Sequence, residues 1–101
     1  MKAIGLARIG RDPEIRYTAN NEPVMNIALA FSYGKKAQGE QYRPSQWVEA
    51  ALWGKRAEAL EPYLKAGGLV DVILRDVHVE TFEGRNGPGT KLVGTVLEID
   101  L

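Results

Sequence analysis

Cysteine is absent from this chain and histidine occurs once. No disulfide can staple it, and no thiolate can hold a metal. His78 alone is no ligand set, so neither a metal nor a cofactor is expected. The lack of cysteine fits a reducing cytoplasm. No apolar run approaches the ~20 residues that a helix needs to cross a bilayer. The opening "MKAIGLARIGRD" has too short an apolar stretch for a signal peptide. No membrane association is expected, and the cytoplasm is the expected location. A surplus of charge is also missing: 13 Lys and Arg face 13 Asp and Glu, which argues mildly against a nucleic-acid partner. "GRNGPG" at 84–89 lacks the Gly-Lys-Ser/Thr ending of a phosphate loop. No Ser/His/Asp set or carboxylate pair can be argued, so the chain is not expected to be an enzyme.

What is present is the substance of one domain, residues 1–101, with 45% apolar and 26% charged residues, ordinary for a globular chain. The neutral total is unevenly spread. Residues 1–57 hold nine Lys and Arg against five Asp and Glu, while residues 58–101 hold four against eight. A basic surface can therefore be built from the first half.

Period-two patterning dominates. From Val24 to Tyr33 the odd positions Met25, Ile27, Leu29, Phe31 and Tyr33 are apolar or aromatic, and the even ones are mostly small or polar. "KAIGLARI" at 2–9 reads as a strand with a bulge at Gly5, "GRDPE" at 10–14 as a turn, and "IRY" as a resumed strand. "TANNEP" at 18–23 is a hairpin loop and "GKKAQGEQYRPS" at 34–45 a long polar one. After Gly54, Ala57, Leu60 and Leu64 form a helical stripe, interrupted at Pro62, with Lys65 in its last turn and Gly67 as C-cap. "LVDVILRDVHVETF" at 69–82 alternates again, "EGRNGPG" makes a flexible tip, and "TKLVGTVLEIDL" closes the chain. Three strands, one helix and two strands match an all-β, five-stranded OB-fold barrel with one short helix between strands 3 and 4. A generic α+β sandwich is the alternative.

Both tryptophans fall in "QWVEAALWG" at 46–54. Trp47 and Trp53 are an even number of residues apart, so in a strand their indoles share one face, about 20 Å apart. Val48, Ala50 and Leu52 fill the other face as a core row would. Outward indoles are platforms for bases, or anchors of a subunit interface. Glu49 lies between them, and beside phosphates it must point aside or pair with a cation.

Two segments carry a resemblance. "GRDPEIRYTANNEPVMNIALAFS" at 10–32 and "SQWVEAALWGKRAEALEPYLKAGGLVDV" at 45–72 resemble the bacterial single-stranded-DNA-binding proteins. The resemblance implies an OB fold that assembles, usually as a homotetramer with a dimer as the alternative, and wraps single-stranded DNA with little sequence preference. It implies stacking roles for Trp47 and Trp53, and places Tyr33 and Phe82 near two further stacking positions. It also implies roles in DNA replication, recombination and repair. Members usually continue into a Gly- and Pro-rich linker with an acidic tip that recruits replication proteins. With "VLEIDL" as its end, this chain is expected to lack that route.

The chemistry of the residues agrees. Every base has a π-face, so an aromatic ring can hold any of them. Lys35, Lys36, Arg43, Lys55 and Arg56 flank the tryptophan strand at its two ends, and Arg8 and Arg11 extend the path from the first strand. Arg56 has a competing use in pairing with Glu along the helix. An OB-type assembly module, whose aromatic face meets a protein in a primosome-like complex, is the second functional reading.

Overall fold

The computed structural model describes residues 1–101. Its strands are β1 (Ala3–Ile9), β2 (Ile15–Tyr17), β3 (Pro23–Ser32), β4 (Ser45–Trp53), β5 (Leu69–Gly84) and β6 (Gly87–Asp100). One helix, α1 (Lys55–Leu60), and a 3-10 turn (Glu61–Tyr63) lie between β4 and β5. β1 pairs with β5, β5 with β6 and β4 with β3, all antiparallel, while β6 joins β4 in parallel. β3 returns to β1 through Arg8↔Ala30 and Ile9↔Leu29. Five strands thus close a ring with no free edge, which is the expected OB barrel. "IRY" forms a sixth strand, paired only with β3 and lying outside the ring.

Alternation decides which side chains fill the ring. Ile9, Met25, Ile27, Leu29, Leu52, Val70, Val72 and Leu74 are fully buried. No polar or charged residue is among the buried ones. Ala57 and Leu64 join the same core from the segment after β4, so the helix acts as a plug. Phe31 packs against the core, as its parity predicts. The even face of β3 is less exposed than its composition implies: Val24 and Ala28 are buried outside the core cluster. Val24 lies directly opposite Trp53 across the β3–β4 pair, and the Ala28 carbonyl accepts from the Gly10 amide at 2.9 Å.

Three local expectations are corrected, at Gly5, Lys65 and Gly67. Gly5 forms no bulge; its register is regular, and it instead leaves ordinary room for the Phe31 ring, 3.9 Å from where a Cβ would stand. A bulge lies in β5, where Asp76 and Val77 face the single residue Gly94, and β6 has a second irregularity at Leu97, between the partners of Ile73 and Leu74. Asp76 takes the left-handed conformation (φ 55°) that the β5 insertion needs. The helix does restart at Pro62 as a 3-10 turn, but it stops at Tyr63. Lys65 and Gly67 belong to the turn that follows, where the Gly67 amide donates to the Ile9 carbonyl at 2.7 Å. "EGRNGPG" is the tip of a hairpin, as expected, but most of it is strand. β5 and β6 pair as far as Gly84↔Gly87, so only Arg85 and Asn86 turn the chain, and the ends of the two strands form a two-stranded ribbon.

Candidate nucleic-acid interface

β4 builds the centre of the site. Val48, Ala50 and Leu52 point into the barrel, and Trp47 and Trp53 point out, 51% and 41% exposed. Their common outward face is as the spacing predicts. Each ring also has a support. The six-membered ring of Trp47 lies on the backbone of Gly10, where a Cβ would come within 2.6 Å of Cη2. Trp53 stands opposite Val24. Phe82, 45% exposed on the ribbon, covers its cross-strand partner Gly89, where a Cβ would meet Cζ at 2.7 Å. A glycine beneath an aromatic lets the ring lie flat and leaves its outer face free.

The Glu49 carboxylate pairs with a cation, one of the two outcomes open to it. Lys91 Nζ on β6 donates to Glu49 Oε2 at 2.9 Å. The same ammonium stands 5.9 Å from the centre of the Phe82 ring, within cation–π reach. One lysine therefore ties the middle of β4 to the ribbon.

Three hollows run along this outer face, and a fourth, about 390 Å³, adjoins them where Asp12 and Glu14 lie with Arg11 and Glu49. The largest, about 630 Å³, has Ala30, Ser32 and Ser45 in its lining together with Arg8, Lys36, Tyr42 and Arg43, and no carboxylate. A second, about 260 Å³, lies between Arg11, Trp47, Glu49 and Lys91. The third, about 320 Å³, includes Trp53, His78, Glu80 and again Glu49 and Lys91. Shared walls join the second and third, and Ala30 lies directly across from Trp47, which joins the first to them. Lys36, Arg43 and Arg11 form no ion pair within the chain, so their charge is available.

The predicted residues divide accordingly. Arg8, Arg11, Lys36, Arg43, Trp47 and Trp53 line these hollows, and Phe82 adjoins them through Lys91. Arg8 also donates to the Gly67 carbonyl at 2.7 Å. Arg56 lies in a further groove beside Trp53, but its guanidinium is engaged: it donates to the Leu97 carbonyl at 2.9 Å and the Val96 carbonyl at 3.2 Å. It thus clasps α1 to β6 rather than pairing with a Glu along the helix. Lys35, Lys55 and Tyr33 are exposed but line none of the three hollows. Tyr33 follows the parity of Phe31, opposite to that of the strand positions facing Trp47.

Sequence reasoning missed Tyr42 and Lys91. Tyr42 was hidden in a polar loop, although an aromatic next to Arg43 was signal enough. Lys91 needed the hairpin register: a two-residue turn pairs Phe82 with Gly89 and so sets Lys91 diagonal to the ring. His78 is a half-exposed residue of β5 that lines the third hollow. Its Nδ1 meets the Asp76 carbonyl at 2.6 Å and its Nε2 meets Glu80 Oε2 at 2.9 Å. With acceptors at both nitrogens the imidazolium is favoured, and the pKa rises above 6.5, chiefly through the Asp76 carbonyl and then Glu80. No cluster of three or more His, Asp or Glu side chains could hold a metal. No helix is long and apolar enough to cross a membrane.

Comparison with known proteins places this geometry. Residues 2–99 match the model of the single-strand binding protein family. The single-stranded DNA-binding protein of Neisseria meningitidis serogroup A is 36% identical over 87 residues, 85% of this chain and 49% of that protein. Single-stranded DNA-binding protein 1 of Synechocystis sp. is 34% identical over 98 residues, 95% of this chain and 78% of that one. The chain thus spans about half the length of the Neisseria relative and most of the Synechocystis one. The small single-stranded DNA-binding protein from Streptomyces coelicolor shares the fold at a TM-score of 0.79 with 17% identity, covering 99% of this chain and 92% of that one. The Plasmodium falciparum protein solved with single-stranded DNA does so at 0.70 with 19% identity, covering 98% and 89%. A family match along nearly the whole chain, on a closed barrel that these folds share, makes this chain a member of the single-strand binding protein family.

Proposed function

We propose that the chain binds single-stranded DNA with little sequence preference and protects it during replication, recombination or repair, without catalysis. The observation that carries this reading is the outer face of β4, where two half-exposed indoles share one side with Phe82 and an uncompensated cluster of cations. Bases stack on Trp47, Trp53 and Phe82, each contact contributing roughly 1–3 kcal/mol. Arg8, Arg11, Lys36 and Arg43 hold phosphates beside Trp47, with Lys35, Lys55 and Arg56 at the margins and Tyr33 beyond them. The names of the Neisseria and Synechocystis relatives support the same ligand. A cytoplasmic setting agrees with a chain free of cysteine.

A homo-oligomer, tetramer or dimer, belongs to the same reading. Ile4 and Leu6 on β1 are more than half exposed in one outward row, and Ile73 on β5 lies directly across from Ile4, a small apolar area that a second copy would cover.

Titration with oligo(dT), followed by tryptophan fluorescence, tests the ligand. Saturable quenching over a site of several nucleotides is expected. No change up to high micromolar oligonucleotide refutes it and leaves the protein-docking reading of the aromatic face. Light scattering with and without oligo(dT) measures the assembly, and a monomer in both refutes self-association.

A further inference from the structure

Two carboxylates line the hollow beside Trp53, and each has one cation. Glu49 on β4 accepts from Lys91 at 2.9 Å, and Glu80 on β5 meets His78 Nε2 at 2.9 Å. The sheet sets these groups side by side. Glu49 and His78 are both register partners of Val93, one on each side of β6, and Glu80 is the partner of Lys91. His78, Glu80 and Phe82 follow one another at every second position of β5, on one face. A strand that stacks on both Trp53 and Phe82 therefore passes over His78 and Glu80. The two pairs differ in kind. A lysine is a permanent cation near neutrality, whereas a histidine is one only while it holds its second proton.

Resting on the single-stranded-DNA reading above, we propose that His78 is a proton-dependent counter-charge for Glu80, admitting the DNA backbone between Trp53 and Phe82 when protonated and leaving Glu80 to repel it when neutral. With the imidazolium in place, Lys91 and His78 offset Glu49 and Glu80, the four charged side chains of that hollow. Loss of the proton leaves one negative charge in excess, against which a phosphate must be held. The surroundings keep this change local. Asp76, in the bulge, is paired with Arg75 at 3.1 Å, and β3 contributes only the uncharged Asn26 to the hollow. The Met1 carbonyl accepts from the Val77 amide at 2.8 Å, which brings the terminal ammonium to the bulge as a further titratable group. The Asp76 carbonyl, 2.6 Å from Nδ1, and then Glu80 raise the pKa of the ring, so the proton leaves above 6.5.

Oligo(dT) titrations at fixed ionic strength, from about pH 6 to about pH 8.5, read the effect. Wild type is expected to bind about threefold more weakly at the alkaline end, as one partly screened charge beside a phosphate requires. His78→Gln has no proton to lose there, so its affinity should vary with pH by about threefold less. The terminal ammonium is common to both chains and cancels in that comparison. Glu80→Gln leaves the hollow neutral without the proton, and at the alkaline end it should bind about threefold more tightly than wild type. Wild type alone supplies a second reading. Linkage is reciprocal, so saturating oligo(dT) should raise the His78 midpoint in proton NMR by about half a pH unit, the counterpart of a threefold change in affinity. A variant that folds poorly loses affinity at every pH alike, and the wild-type midpoint then decides. An unshifted midpoint, or a wild-type pH profile in His78→Gln, overturns the role of His78 while the DNA-binding reading survives. Failure to bind oligo(dT) at any pH overturns both.

Discussion

A single methyl group at Gly10 tests whether the Trp47 platform is held by the contact beneath it. In Gly10→Ala the new Cβ would stand 2.6 Å from Cη2 and 3.7 Å from Cε3 of the indole. Carbon atoms rest at about 3.5–4.0 Å, so the ring must retreat by about an ångström or swing away. Its outer face then no longer lies where a base can meet it along with Trp53. The largest loss is that of one stacked base, about 1–3 kcal/mol, or roughly 5- to 150-fold in affinity. Folding stability should move little. Gly10 has no left-handed backbone angle, so alanine is tolerated there, and it restricts the unfolded chain by about 0.4–1 kcal/mol. That gain offsets the packing lost by a ring already half exposed.

Oligo(dT) titration and urea denaturation of the same samples separate the two effects. Weakened binding with a nearly unchanged urea midpoint is the expected pair of results. Gly5→Ala serves as control, because its Cβ meets Phe31 at an ordinary 3.9 Å and should leave affinity alone. If Gly10→Ala binds within about twofold of wild type, the indole is not positioned from below.

Three further outcomes follow from the geometry. Arg43→Ala removes one of the free cations of the carboxylate-free cleft, so the slope of log affinity against log salt should become shallower by about 0.7; an unchanged slope refutes a phosphate contact there. Arg56→Ala deletes the clasp on the Val96 and Leu97 carbonyls and should cost about 1–2 kcal/mol in urea denaturation, with no rescue by Arg56→Lys, whose ammonium lacks the guanidinium fork; full stability in either variant refutes the clasp. His78, the one histidine, should titrate by proton NMR with a midpoint above 6.5. Because its folded pKa is raised, its contribution to stability is complete below 6.5 and fades as pH climbs through the folded midpoint. A midpoint at or below 6.5 contradicts the two hydrogen bonds.

What could be read from the chain itself was whatever depends on neighbours two residues apart. The rows Met25, Ile27, Leu29 and Val48, Ala50, Leu52 declare strands and their inner faces, and the outward pair Trp47 and Trp53 follows from the same parity. The barrel order followed from those strands together with the turn residues between them. Register is a different matter, because it is settled across pairs distant in sequence. Glu49 and Lys91 are 42 residues apart, and Gly10 is separated from Trp47 by two hairpins. A glycine in a strand signals missing side-chain volume but not which ring uses the space. Gly5 was therefore credited with a bulge, while β5 bulges at Asp76, a residue forced into a left-handed conformation opposite Gly94. The ribbon shows the same limit. Gly84, Gly87 and Gly89 mark the hairpin tip but hide how far the strands pair, yet Gly89 is there to receive Phe82, and that pairing is what brings Lys91 to Glu49. The rings of this site are thus written in local alternation. Their supports and their charge partners exist only once the ring of strands has closed, and that is why a single methyl group at Gly10 can move the Trp47 ring.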